Sequence, residues 1–339
     1  MDSLPKIWSE LEEQAEDCPS AGILRRRIAM DMPHDFFVGL AMPARQRLFI
    51  LEIDRGCVLH VAHLPKSRHF ATSITDIDEY DSNRVCVIAT LLDRSFSDIF
   101  SVLVEDSVVS LRGFDAADAA AQRLIERLDK WQSFFDRASP TGLSKLQQQG
   151  LVGELWFLKD VMLRVLGANN AVQSWKGPLG SCQDFLVADC AIEIKTIMSA
   201  DSACVRISSE LQLDDAGLAR LFLSVVRLED AQESGETLNS LVDGIRDILS
   251  TDATVQAAFD DRLLAAGYLE IHRHEYATRH YEFEELESFD VTRDFPRLIG
   301  ASIPSAITEV QYSLHLAHIR RFRVSKTDLD NAIVRSEHA

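Results

Sequence analysis

The sequence predicts an α/β protein in which one α/β unit follows a β-rich N-terminal domain. Three observations predict it. Short runs rich in β-branched and aromatic residues crowd the first third of the chain, and an alanine-rich helical texture takes over from Asp115. Beyond it, helical and strand-like stretches alternate to the C-terminus, as in a sheet with helical cover. A length of 339 residues suits two or three domains, and 46% hydrophobic against 26% charged residues is the balance of a globular chain.

After a short N-terminal helix, FFVGLAM (36–42), RLFILEI (47–53), RVCVIATLL (84–92) and IFSVLVEDSVVSL (99–111) read as strands of a sheet or half-barrel. AADAAAQRLIERLDKWQSFFDR then reads as a helix, with Leu124, Leu128 and Trp131 at helical spacing and Asp115 as its cap. SPTG (139–142) punctuates the chain, and Pro140 suits a fresh helix start. LSKLQQQGLVGELWFLKDVMLRVLG is a long helical pattern ended by Gly167. Two short strands follow GPLGS (177–181), with a third at LARLFLSVVRL. Helices resume between Thr237 and Ala266, and YEFEELESFDV and ITEVQYSLHL read as strands. The domains are accordingly drawn as 1–112, β-rich, and 113–339, α/β.

Composition excludes several classes. No run of about eighteen apolar residues occurs, so no membrane span is expected. The acidic start, MDSLPKIWSELEEQAEDCPS, is unlike a secretory signal, and a cytoplasmic location is expected. Cys18, Cys57, Cys86, Cys182, Cys190 and Cys204 form no CxxC pair and read as reduced, buried thiols. Cys57, His60, His63 and His69 are a zinc alternative, weakened because a strand would put His60 and His63 on opposite faces. A net charge of -18 argues against tight non-specific binding to duplex DNA, but leaves room for a local basic groove or delivery by a partner. GxSxG, GxGxxG and GxxxxGKS patterns are absent, which leaves acyl and hydride chemistry without support.

The chemistry concentrates between residues 154 and 195. On a helix, Glu154 has Leu151, Phe157 and Leu158 one turn away and Val161 two turns on, so it lies on the apolar stripe. A carboxylate there needs a cation or donors; the alternatives are an edge position or a buried arginine partner. In CAIEIKTIM, the strand period of two puts Glu193 and Lys195 on one face and Ile192 and Ile194 on the other. A two-residue loop at Ala188-Asp189 pairs Val187 with Cys190 and sets Asp184 opposite Glu193. Cross-strand Cβ atoms are then about 5 Å apart. A three-residue loop would separate the two acids, and an exposed salt bridge is the other reading of the set.

The string GELWFL, WKGP, DF, EIKT resembles the bacterial PD-(D/E)XK-motif protein family, a domain family of uncharacterised function in the restriction-endonuclease-like superfamily. FDVTRDFPRLIGASIP and ITEVQYSLHL fit its C-terminal part, and the likeness is densest from 148 to 228. The resemblance implies a restriction-endonuclease-like core: a helix, a mixed sheet and flanking helices. It implies Asp184, Glu193 and the carbonyl of Ile194 as ligands of Mg²⁺ (or Mn²⁺), with Glu154 assisting from the first helix. Lys195 would orient or activate the attacking water, and Gln212 would bind phosphate or hold the lysine; the other reading of Gln212 is a surface residue at a helix start. Gln183 stands where the motif usually has proline. The activity implied is DNA endonuclease, in a bacterial restriction or phage-defence system, with methyltransferase or ATPase subunits as partners; a homodimer is compatible with it. The rival is a catalytically silent nuclease-fold scaffold, which the acidic charge favours. His272 and His274, on one face if LEIHRHEY is a strand, and the basic Arg320, Arg321 and Arg323 are further candidate phosphate contacts.

Overall fold

A computed structural model describes residues 3–17, 21–55, 64–75, 84–136, 139–199, 203–231 and 234–337. Contacts divide the chain into two compact units, Met1–Thr141 and Gly142–Ala339.

The first unit begins with α1 (Leu4–Asp17), whose Trp8, Leu11 and Ala15 are buried at helical spacing. Strands β1 (Gly22–Ile28), β2 (Asp35–Met42), β3 (Gln46–Asp54), β4 (Phe70–Thr75) and β5 (Arg84–Leu91) follow. They form an antiparallel sheet in the order β1-β2-β3-β5-β4, with Phe36 opposite Leu51 and Ile50 opposite Ile88. Two helices complete the unit, α2 (Ser97–Ser110) and α3 (Ala117–Phe135).

The run at 99–111, expected as a strand, is therefore helical. Asp93 caps the turn leading in, accepting from Ser95 N–H, and Ile99, Phe100, Leu103, Val104 and Val108 bury one stripe. A near-continuous apolar run is ambiguous between the two periods, and the stripe decides it. β1, unanticipated, is made from GILRRRI: Arg25 lies 4.5 Å over the Phe37 ring and Arg27 pairs with Asp35. α3 also differs from expectation. Ala116, not Asp115, occupies its N-cap. It belongs with the first unit, because Asp106 of α2 accepts from Arg127 Nε (2.5 Å) and Trp131 Nε1 (2.7 Å). The unit thus closes at SPTG rather than near 113.

The second unit opens with α4 (Lys145–Phe157), started by a capping box between Ser144 and Gln147 rather than by Pro140. One π turn (Leu158–Met162) leads into α5 (Leu163–Ser174). Gly167, at φ 72°, breaks the helical backbone where the sequence placed the stop. Then come β6 (Phe185–Val187), β7 (Cys190–Met198), β8 (Cys204–Ile207), β9 (Arg220–Asp230), α6 (Leu238–Leu249), α7 (Ala253–Ala265) and α8 (Arg273–Tyr276). β10 (Tyr281–Asp290), β11 (Tyr312–His315), α9 (Leu316–Ile319), β12 (Arg323–Val324) and α10 (Lys326–Glu337) finish the chain.

The central sheet has the order β12-β10-β9-β7-β6; β7 and β9 are parallel and the other neighbours antiparallel, so the sheet is mixed. One face, through Phe185, Ile192, Ile194, Phe222 and Val226, shares a core with α4, α5, α6 and α10. The other, through Ala191, Ile197, Leu221, Leu223 and Val225, packs with the small β8–β11 pair. No described helix is long and apolar enough to cross a membrane.

Candidate active site

The β6–β7 hairpin sets the register. Val187 pairs with Cys190, Leu186 with Ala191 and Phe185 with Ile192, across a two-residue turn in which Ala188 takes φ 48°. Asp184, one residue before β6, therefore falls beside Glu193. Its Oδ2 accepts from Ile194 N–H at 2.7 Å. Along β7, Ile192 and Ile194 enter the helical core while Glu193 and Lys195 take the other face.

α4 reaches the same strand by a close crossing. A Cβ on Gly153 would stand 1.9 Å from Thr196 Oγ1, so only glycine admits the contact. Gln149 Nε2 secures it, donating to the Thr196 carbonyl at 3.1 Å. Leu151, Phe157, Leu158 and Val161 are buried as the helical stripe requires, and Glu154 turns toward β7. Its Oε2 accepts from Trp175 Nε1 at 2.8 Å.

Lys195 Nζ donates to Glu193 Oε1 at 2.7 Å and to Gln212 Oε1 at 3.1 Å. The same Gln212 oxygen accepts from Ser208 N–H at 2.8 Å, which fixes it as the lysine's acceptor. Gln183 turns away from the acids and donates to the Leu211 carbonyl at 2.9 Å, so it steadies the Gln212 loop. Glu154, Asp184, Glu193, Ile194, Lys195 and Gln212 line one cleft of about 330 Å³, and Gln149, Arg206 and Ser208 share its wall.

Three carboxylates here face one ammonium group. Burial raises the Glu193 carboxyl well above its usual range, and Asp184 adds to the rise while Lys195 opposes it. Burial also raises Glu154 well above the usual range, helped by Asp184 and opposed by the Trp175 N–H. Asp184 is raised to about 6 by burial, against the Ile194 N–H and Lys195. Glu193 is 1% exposed, and its Oε2 is buried without a hydrogen-bond partner. An orphaned buried carboxylate oxygen beside a second acid calls for a proton or a hard cation. The donors fit Mg²⁺ or Mn²⁺: Asp184 and Glu193 would hold it, with the Ile194 carbonyl as the neutral ligand. Among the described residues no three His, Cys, Asp or Glu side chains close on one point, so Glu154 stands beside a two-carboxylate set.

Other candidates fall elsewhere. His272 lies in a helical turn rather than a strand and is buried near Tyr276; His274 is exposed on α8, and neither lines the cleft. Arg323 pairs with Glu285 and Glu287, and Arg321 stacks on Phe322. Of the zinc alternative, Cys57, His60 and His63 lie outside the described residues, and His69 bonds Asp93 at 3.1 Å and packs on Phe96. The sequence reading missed Trp175, although WKGP was among the strings noted, and it missed Arg206. The second was detectable as the outward residue of the short CVRI strand; the first had no periodicity to mark it.

A family model described as "Putative PD-(D/E)XK family member, (DUF4420)" matches residues 4–317. No curated protein and no solved structure matches the chain. With a mixed sheet, an acid at the hairpin and an acid-X-lysine strand already in place, the match covers nearly the whole chain, which belongs to this PD-(D/E)XK family.

Proposed function

We propose that the chain is a Mg²⁺- or Mn²⁺-dependent DNA endonuclease that acts in a bacterial restriction or phage-defence system. Family membership supports a nuclease fold. The observation that carries the activity is Glu193: a fully buried carboxylate with one oxygen on Lys195 and the other without a partner, next to Asp184. A scaffold has no use for three carboxylates on one cleft, where one buried carboxylate oxygen is left without a donor, since burying charge that is only partly compensated destabilises a fold.

When bound between Asp184 and Glu193, the cation would supply positive charge at the scissile phosphate and a more acidic water. The protein's own groups do the rest. Lys195, held from two sides by Glu193 and Gln212, presents a preorganised ammonium that holds the attacking water and stabilises charge building on the phosphate. Gln212, locked by Ser208 N–H, keeps that ammonium from swinging away. Arg206, on the same wall and hydrogen-bonded to Gln311, is the cation placed to grip a phosphate oxygen. Glu154, gripped by Trp175, adds negative charge that favours the cation.

The rival reading, a silent scaffold subunit, draws on the net charge of -18. Both are tested by incubating the full chain with Mg²⁺ or Mn²⁺ on duplex and single-stranded DNA, with calorimetry of metal binding alongside. Lys195→Ala is expected to lose about two to three orders of magnitude in cleavage rate while still binding metal. Asp184→Asn is expected to lose metal binding itself. Cleavage by K195A at the wild-type rate would end the assignment of Lys195. Metal binding by neither wild type nor variants favours the scaffold. Partners of the methyltransferase or ATPase class would deliver so acidic a protein to DNA, and adding them is the control for a wild type that binds metal yet leaves DNA intact.

A further inference from the structure

Trp175 sits behind the cleft, and the acid-acid-lysine set gives it no task. Its ring is fully buried, 6.0 Å from the Phe259 ring, and its indole N–H meets Glu154 Oε2 at 2.8 Å. The next two residues turn to the second acid. Lys176 N–H and Gly177 N–H both donate to the Asp184 carbonyl, at 2.7 and 2.9 Å. Gly177 presses closer still: a Cβ there would stand 2.7 Å from Asp184 Oδ1 and 3.2 Å from its Cα. From the far side, buried Arg262 of α7 anchors the segment. Its Nε donates to the Trp175 carbonyl, Nη1 to the Ala258 carbonyl and Nη2 to Gln173 Oε1, each at 2.9 Å.

We infer that Trp175–Gly177, anchored by Arg262, is a positioning clamp that holds Glu154 and Asp184 in the arrangement that accepts a divalent cation. This rests on the metal-dependent reading above. Acids brought together in a buried cleft disfavour one another's charge, and fixed donors behind them favour the ionised, oriented form. Groups behind the ligands that fix their orientation typically govern metal affinity by 10–100-fold. One short segment here touches both acids, through a side chain for Glu154 and through backbone for Asp184, so moving it moves the pair.

The test is calorimetric titration of Mn²⁺ into the full chain without DNA, for wild type, W175F, E154Q, the W175F/E154Q double variant and G177A. Thermal melts in EDTA confirm that each is folded. Phe keeps an aromatic ring in the core but removes the N–H together with the five-membered ring, and the double variant separates the lost hydrogen bond from the lost packing. W175F is expected to weaken Mn²⁺ binding about tenfold. In the E154Q background the same change is expected to cost nothing further, because the indole acts through the Glu154 charge. A purely structural Trp175 would instead weaken binding equally in both backgrounds, and that result overturns the clamp. G177A, acting on Asp184, is expected to weaken binding tenfold or more. Wild-type affinity in W175F or in G177A overturns the clamp and leaves the metal reading standing. No Mn²⁺ binding by wild type overturns both.

Discussion

Asp184 shows how the site's chemistry trades against stability. Its carboxyl is raised to about 6 in the folded protein, chiefly by burial. An unfolded aspartate titrates near about 3.9. The folded state therefore holds its proton more tightly, so the unfolded state binds fewer protons through the window from about 4 to 6. The slope of unfolding free energy with pH is then negative there. In EDTA, stability is expected to fall as pH rises through this window, by no more than about 3 kcal/mol from this group. Glu193 and Glu154 push in the same direction. Asp184→Asn keeps an acceptor for Ile194 N–H and removes the charge, so it should raise the EDTA melting temperature at pH 8 and flatten the pH dependence. Denaturant melts from pH 4 to 8 on both proteins check this. A wild type that gains stability with pH over that range would show the acids are compensated in some other way. The acids themselves were legible in the sequence, because period two in CAIEIKTIM and a two-residue turn at Ala188-Asp189 fix which face each takes. Trp175 was not. A residue whose task is a hydrogen bond to a partner 21 positions away leaves no periodic trace.

At the scale of elements, the crossing of α4 over β7 carries Glu154 to the site, and Gly153 sets its closeness. Alanine at an exposed helix interior stabilises by about 1 kcal/mol over glycine. At Gly153 the new Cβ would stand 1.9 Å from Thr196 Oγ1 and 3.2 Å from its Cγ2, so the helix must lift. Overpacking of this kind typically costs about 1–3 kcal/mol, and the net effect is expected to be a lower melting temperature. Thr196 Oγ1 is buried without a hydrogen-bond partner, so Thr196→Ala should itself be mild and should rescue Gly153→Ala. A double-mutant cycle by thermal melts measures that coupling; additive effects would mean α4 and β7 do not meet there. The same elements show what a linear pattern conveys. The stripe that runs from α4 into the π turn was readable because Leu151, Phe157, Leu158 and Val161 repeat at helical spacing. IFSVLVEDSVVSL misled because β-branched residues filled a helix, α2, whose true stripe emerges only when Phe100, Leu103 and Val104 are seen to be buried together. β1 was hidden by three consecutive arginines, whose partners Phe37, Glu52 and Asp35 come beside them only in the folded sheet.

At the scale of the whole molecule, the sequence marks a change of texture near Asp115, whereas the packing closes at Thr141. The difference lies in α3. Ala120, Ala121, Leu124, Leu128, Trp131, Phe134 and Phe135 are all buried, and the ion pair of Arg127 with Asp106 ties the helix to α2. A fragment starting at 113 would strip that stripe of its cover, exposing a contiguous apolar face of the kind that drives aggregation. A fragment starting at 142 leaves it behind. Both apolar clusters of the second unit draw their members from within residues 143–333. Its entry is tied down as well, since Leu143 N–H donates to Tyr276 Oη at 3.0 Å and the Ser144–Gln147 box caps α4. Residues 142–339 are therefore expected to express as a soluble, cooperatively melting protein that keeps the Mn²⁺ affinity of the full chain. Residues 113–339 are expected to elute as aggregate or to bind a hydrophobic dye strongly. Gel filtration, thermal melts and Mn²⁺ calorimetry on the two fragments separate the cases. A monomeric 113–339 beside an insoluble 142–339 would place the working boundary at the change of texture, with α3 part of the nuclease-fold unit.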